Sequence, residues 1–156
     1  MWTRYFLVTI SLPDVNVWVA MAAGGHVHHV PARDWFSAQP DASVALCRVT
    51  QMGLLRLLTN RSVMGQAPRT VGQAWEVFSQ LRRDRRLLFL TEPDGVEPVW
   101  CEFMLQLGVG ASSWTDAYLA AFARTHACML VTFDNGFARW AGLDLKLLPV
   151  PKKSAG

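Results

Sequence analysis

Phe6-Leu7-Val8-Thr9-Ile10-Ser11-Leu12, followed by Pro13-Asp14-Val15-Asn16-Val17-Trp18, is the stretch that decides how the chain reads. Its first seven residues form a near-continuous apolar run, the mark of a strand buried on both faces. Val15–Ala23 then reads as a helix that stops at Gly24-Gly25. A buried strand running straight into a helix is the opening of an α/β fold, and the rest of the chain repeats the alternation. Ser43–Leu46, Arg86–Leu90, Cys128–Phe133 and Leu143–Leu148 are the further apolar runs of strand length. Between them the sequence predicts helices over Pro31–Ala38, Thr50–Thr59, Arg69–Asp84, Pro98–Leu107, Thr115–Thr125 and, as a short piece, Asn135–Trp140. This order implies a three-layer α/β/α fold around a central, about five-stranded parallel sheet, joined by right-handed crossovers.

The chain has 156 residues, 51% of them apolar and 17% charged. That excludes disorder and suits one domain, expected over residues 1–148, with a short tail at 149–156. Cys47, Cys101 and Cys128 form no CxxC pair, which argues against a disulfide framework or a zinc knuckle and for reduced thiols in the cytoplasm. The apolar segment Tyr5–Ala23 is interrupted by Pro13, Asp14 and Asn16, so neither a membrane span nor a signal peptide is expected. The net charge of +3 is a mild basic bias.

In a parallel sheet, ligands bind outside the carboxyl ends of the strands. Asp14 follows the first strand. Gln51 opens the helix after the second. Asp116 lies in the first turn of the helix leading to the fourth, and Asp134 follows that strand. Four oxygen-bearing side chains therefore converge on one edge. Asp116 also fits a capping box, Ser113-Trp114-Thr115-Asp116, and Asp134-Asn135-Gly136 is an ordinary turn signature. Asp14 is harder to explain structurally, because a carboxylate amid apolar neighbours needs a compensating charge or donors. Clustered carboxylates repel unless a cation intervenes. Mg²⁺ or Mn²⁺, hard ions that prefer carboxylate oxygen and water, fit such a site and suit phosphodiester cleavage.

Leu12-Pro13-Asp14-Val15-Asn16-Val17, Thr50-Gln51-Met52-Gly53-Leu54-Leu55-Arg56-Leu57-Leu58-Thr59-Asn60, Trp114-Thr115-Asp116-Ala117-Tyr118-Leu119-Ala120-Ala121 and Leu130-Val131-Thr132-Phe133-Asp134 resemble, in that order, the PIN domain. More narrowly they resemble VapC-type toxins of VapBC toxin–antitoxin systems. The resemblance implies a Mg²⁺- or Mn²⁺-dependent endoribonuclease, usually a homodimer, acting on RNA and neutralised by a VapB-like antitoxin. It carries the acidic constellation over to Asp14, Asp116 and Asp134 as metal ligands, with Gln51 as a fourth catalytic position. Asn16 and Thr132 would orient the carboxylates. Many members have Glu where this chain has Gln51, and Asn where it has Ser112-Ser113. The loss of one negative charge implies a single firm metal site. The rival readings are a PIN fold that only binds RNA or its antitoxin, and a phospho-acceptor receiver domain, for which Lys146 is poorly placed.

Other features have their own candidates. Arg82-Arg83-Asp84-Arg85-Arg86 is either a solvated helix end or a footprint for RNA phosphates, with Arg82 and Arg83 the leading contacts and Lys152-Lys153 a possible addition. Trp114, two residues before Asp116, is placed to stack on an unpaired base. His26-Val27-His28-His29 fits an exposed loop better than a metal site. Glu97 and Glu102 are acids with no geometric case. The tryptophans at 18, 35, 75, 100 and 140 fall in helical patterns and read as packing residues.

Overall fold

The computed structural model describes residues 7–64, 68–108 and 113–152. Five strands form one sheet: β1 (Ser11–Pro13), β2 (Val44–Leu46), β3 (Leu87–Phe89), β4 (Met129–Thr132) and β5 (Leu145–Leu147). Their order across the sheet is β3-β2-β1-β4-β5, and every neighbouring pair is parallel. The α-helices are α1 (Val15–Ala22), α2 (His29–Ser37), α3 (Arg48–Leu58), α4 (Arg61–Met64), α5 (Val71–Arg82), α6 (Val96–Leu107) and α7 (Trp114–His126). A 3₁₀ turn covers Asn135–Arg139. Among the described residues no helix is long and apolar enough to cross a membrane.

The strands are short, and their side chains alternate between two cores. Leu12, Ala45 and Leu130 face one way, where they meet Phe103 and Met104 of α6, Ala117–Ala123 of α7, and Phe137 and Trp140. Val44, Leu46 and Val131 face the other way, against Val17 and Trp18 of α1, Trp35 of α2, Leu54 and Leu58 of α3 and Phe78 of α5. This period of two, with apolar residues on both faces, is why the strands read as unbroken apolar runs. It also produces the expected three layers.

β1 is shorter than its apolar run. The strand predicted over Phe6–Leu12 is Ser11–Pro13; Phe6 lies outside the described residues, and Leu7 and Val8 are exposed. The run becomes strand only where β2 and β4 flank it: Ser11 pairs with Val44 and Met129, and Pro13 with Val131. Pro13, at the end of a central strand, withholds a donor from β2. The Ser11 N–H points to β2, donating to the Ser43 carbonyl at 2.8 Å, and two residues on Pro13 has no N–H to continue that ladder, so the β1–β2 pairing is confined to Ser11 and Val44. The Asp14 N–H points to β4 and donates to the Val131 carbonyl at 2.9 Å.

Local chemistry sets the other boundaries. Thr70 and Gln73 form a reciprocal capping box that starts α5. α6 begins at Val96 rather than Pro98, because Gly95 takes a left-handed φ of 83° and turns the chain into the helix. α4, a single turn, has too few apolar residues to show a helical period. The expected helix stop at Gly110 and the Ser112 position lie outside the described residues.

The connection leaving β1 goes to β2 on one side, whereas the one leaving β4 goes to β5 on the other. The carboxyl ends of β1 and β4 therefore flank the switch point of the sheet, where such folds bind ligands. α1 and α3 meet beside it at Gly53, where an added Cβ would lie 2.6 Å from Val15 Cγ2. Gly53→Ala should destabilise the protein by about 1–2 kcal/mol, overcrowding outweighing the gain in helix propensity. A second change, Val15→Ala, should recover most of that loss. Urea unfolding of the single and double variants checks this; a Gly53→Ala variant more stable than wild type would show that α1 shifts freely.

Candidate active site

Asp14 is the first residue beyond β1 and the N-cap of α1. Its Oδ1 accepts the Val17 N–H at 3.2 Å, and it is only 5% exposed. Its Oδ2 accepts the hydroxyl of Thr132, the last residue of β4, at 2.5 Å. The same Thr132 oxygen accepts the Asp134 N–H at 3.0 Å. One hydroxyl thus links the ends of two adjacent strands and fixes both acidic residues relative to the sheet.

Asp134 caps the 3₁₀ turn, its Oδ1 accepting the Gly136 N–H at 2.8 Å. Asp134 thus fills the expected turn role; it follows β4 at the same sheet edge but is not among the residues lining the cleft that Asp14 and Asp116 share. Asp116, at the third position of α7, is exposed. The capping box possible at Ser113 does not form: the Ser113 hydroxyl instead accepts from Arg139 Nη2 at 3.1 Å. Asp116 therefore has no capping work in α7.

Asp14 and Asp116 each feel a neighbouring carboxylate. Burial pushes the Asp14 carboxyl from 3.8 up to about 6; the bonds from Thr132 and Val17 pull it down, and the Asp116 charge pushes it up further. The Asp116 carboxyl is also raised, first by desolvation in the cleft and then by Asp134, with Arg139 opposing. Among the described residues Asp14 has no basic partner. A buried carboxylate at a switch point, crowded by others and lacking a counter-charge, is an arrangement that a cation would complete.

The described acidic, histidine and cysteine side chains form no group of three that closes a metal cage. A Mg²⁺-like ion does not need one. It keeps several waters and is commonly held by one or two carboxylates plus substrate phosphate. Asp14 and Asp116 line one cleft of about 530 Å³ with Asn16 and Thr115, and their hard oxygen donors fit such an ion.

The α3 wall of this cleft differs from the expectation. Gln51 is buried but is not among the residues lining the cleft; its Oε1 accepts from Arg48 Nη1, whose guanidinium lies 5.0 Å from the Phe89 ring centre. The residues of α3 that face the cleft are Val49, Met52, Gly53, Arg56 and Leu57, one helical stripe. Arg56 went unnoticed in the sequence because a single Arg in a helical pattern reads as a solvated face.

Arg82 and Arg83 are also outside the cleft lining. Arg82 packs over Phe78 and Phe89, and Arg83 ends α5, at the amino edge of the sheet, near Asp41 and Arg85. Much of that basic run is neutralised internally: Arg86 binds both Asp84 oxygens, at 2.9 and 2.7 Å, and holds that carboxyl below the usual range. Trp114 opens α7 with its ring exposed and edge-on to Trp100, whose Nε1 donates to the Trp114 carbonyl at 2.9 Å. The histidine loop is half-buried and internally bonded: His26 Nδ1 accepts the His28 N–H, and His29 Nδ1 lies 2.7 Å from the Ala20 carbonyl.

The family model for the PIN domain matches residues 11–143, which contain all four of these sheet-edge positions. The chain is a PIN domain. Within that family it is similar to Ribonuclease VapC41 of Mycobacterium tuberculosis, with 42% identity over 142 residues, covering 88% of this chain and 97% of the relative. Ribonuclease VapC38 of the same organism is 37% identical, covering 81% and 86%. Among solved structures, this PIN domain has the fold of M. tuberculosis VapC20, described as a sarcin–ricin loop cleaving toxin, at a TM-score of 0.65, 18% identity and 86% and 98% coverage. DNA-bound VapBC from Salmonella typhimurium matches at 0.65, with 15% identity and 88% and 97% coverage.

The raised Asp14 carboxyl contributes to the pH dependence of this PIN domain's stability. The folded state binds the Asp14 proton more tightly than the unfolded chain does, so metal-free stability should fall as pH rises from about 4 to about 6, then stay lower. Asp14→Asn should flatten that slope and raise stability at pH 7.5 in EDTA by about 1–3 kcal/mol. Urea midpoints across pH 4–8 read both effects; a less stable Asn variant at pH 7.5 would contradict them.

Proposed function

We propose that this PIN domain is a divalent-metal-dependent endoribonuclease, the toxin of a toxin–antitoxin pair, with Asp14, Asp116 and Asp134 as its metal-binding carboxylates. The observation that carries the reading is the buried Asp14, without a basic partner among the described residues and coupled through Asp116 to Asp134 at the switch point. The relatives named Ribonuclease VapC support RNA as substrate, and structural neighbours solved as VapBC complexes support a VapB-like antitoxin. A homodimer in the cytoplasm belongs to the same reading.

When bound, Mg²⁺ or Mn²⁺ supplies a Lewis acid and lowers the pKa of a coordinated water. The chain's own residues do the rest. Asp14 is held in one rotamer by the Val17 N–H and the Thr132 hydroxyl, so its oxygens need no reorganisation when a cation or phosphate arrives. Asp116, exposed and free of capping duty, faces the same cleft and is the carboxylate best placed to accept a proton from an attacking water. Asn16 on the cleft wall can donate to a phosphate oxygen. Gln51, its carbonyl oxygen engaged by Arg48, stays out of the ligand set and braces the start of α3. Trp114, exposed at the mouth of α7, offers a stacking face.

Purified protein should cut cellular RNA into discrete fragments with Mg²⁺ or Mn²⁺, and EDTA should abolish cutting. Asp116→Asn should lower the rate by at least about 100-fold, and Thr132→Val, which removes the tether on Asp14, by about 10–100-fold. Gel or sequencing read-out of fragments checks this. Cleavage that survives EDTA or Asp116→Asn would refute the metal nuclease. Retained RNA or antitoxin binding with no cleavage would make the domain a binding module.

A further inference from the structure

We propose that Arg56, exposed on the α3 wall, is the substrate-phosphate contact of the cleft that Asp14 and Asp116 also line; this rests on the nuclease reading above. The cleft has three walls: the start of α1 with Asp14 and Asn16, the start of α7 with Thr115 and Asp116, and the α3 stripe. The α3 wall carries no carboxylate. Gly53 stands there without a side chain, and Val15 fills the space a side chain would need. One turn further on, Arg56 is the stripe's charged residue.

The state of its guanidinium separates Arg56 from most other arginines. Arg33, Arg85, Arg86 and Arg124 are ion-paired. Arg48 is bonded to Gln51, Arg69 to the Ala22 carbonyl and Arg139 to Ser113, and Arg82 lies over two rings. Among the described residues the Arg56 guanidinium has no hydrogen bond or ion pair, although the cleft it lines holds two carboxylates. Arg61 and Arg83 are similarly unengaged but lie outside that cleft. A cation left unpaired in the wall of a cleft suits a ligand that is itself anionic. A phosphodiester fits. Its non-bridging oxygens match the planar fork of an Arg. The exposed Met52 on the same stripe gives the neighbouring nucleoside an apolar surface.

The test measures binding apart from chemistry. Wild type, Arg56→Gln, Arg56→Lys and Asp116→Asn are titrated in EDTA with a 2′-O-methylated single-stranded RNA 20-mer pool across salt concentrations. Arg56→Gln should weaken binding about tenfold and reduce the slope of log affinity against log salt by about 0.7, the loss of one phosphate contact. Arg56→Lys should restore the slope while recovering only part of the affinity, since a point charge lacks the fork. Mn²⁺ binding by calorimetry should be unchanged or tighter in Arg56→Gln, which also shows that the variant is folded. With metal present, kcat/KM on unmodified RNA should fall at least tenfold. An unchanged salt slope in Arg56→Gln, or loss of Mn²⁺ binding together with RNA binding, overturns the assignment. Failure of the nuclease reading shows separately, as wild-type cleavage that does not respond to Asp116→Asn.

Discussion

The hydroxyl of Thr132 is the constraint on which the site depends. It donates to Asp14 and accepts from the Asp134 backbone, so the ends of β1 and β4 are joined by one oxygen atom. Both strands are short, and neither alone would fix the direction of the residue that follows it. The shared hydroxyl turns two chain ends into one rigid support. The Asp14 backbone N–H, bonded to Val131, adds a second tie across the same pair. Asp14 can then stay buried, because its two oxygens each have a donor, and α1 can start where its cap is already held.

From that junction the architecture follows. The parallel order places β1 and β4 side by side with their helices leaving in opposite directions, which opens the cleft. α7 brings Asp116 in from one side and α3 closes the other. The two cores, one on each face, hold these helices at fixed distances from the strand ends. The acidic groups therefore gather on backbone that packing has already made rigid, and their mutual repulsion is stored rather than relieved by movement.

Much of this was legible in the residues. Strands buried on both faces announce themselves as unbroken apolar runs, and Asp14, Asp116 and Asp134 could be placed at one edge because parallel topology decides where strand ends go. Helix ends were less legible: Gly95 moved the start of α6 ahead of Pro98, and one-turn α4 has no period to read. The strand over Phe6–Leu12 was overlong because pairing partners, not apolarity, end β1. The α3 wall was misjudged for a geometric reason. Spacing along a helix gives the faces relative to one another but not the rotation of the helix about its axis, and α3 turns Gly53 and Arg56, rather than Gln51, toward the cleft. That rotation follows from the close approach of Val15 to Gly53, a contact between residues far apart in sequence.

The burial of Asp14 has a consequence for how the cleft fills. With its carboxyl raised to about 6, a sizeable fraction of metal-free molecules in mildly acidic solution carry a proton at the spot a cation would occupy. In the proposed metal-dependent reading, a cation arriving there would have to expel that proton. Below about pH 6 each further unit of acidification would then weaken apparent cation affinity by up to about tenfold through Asp14. On that reading, readiness for chemistry would follow the acidity of the surroundings with no moving part.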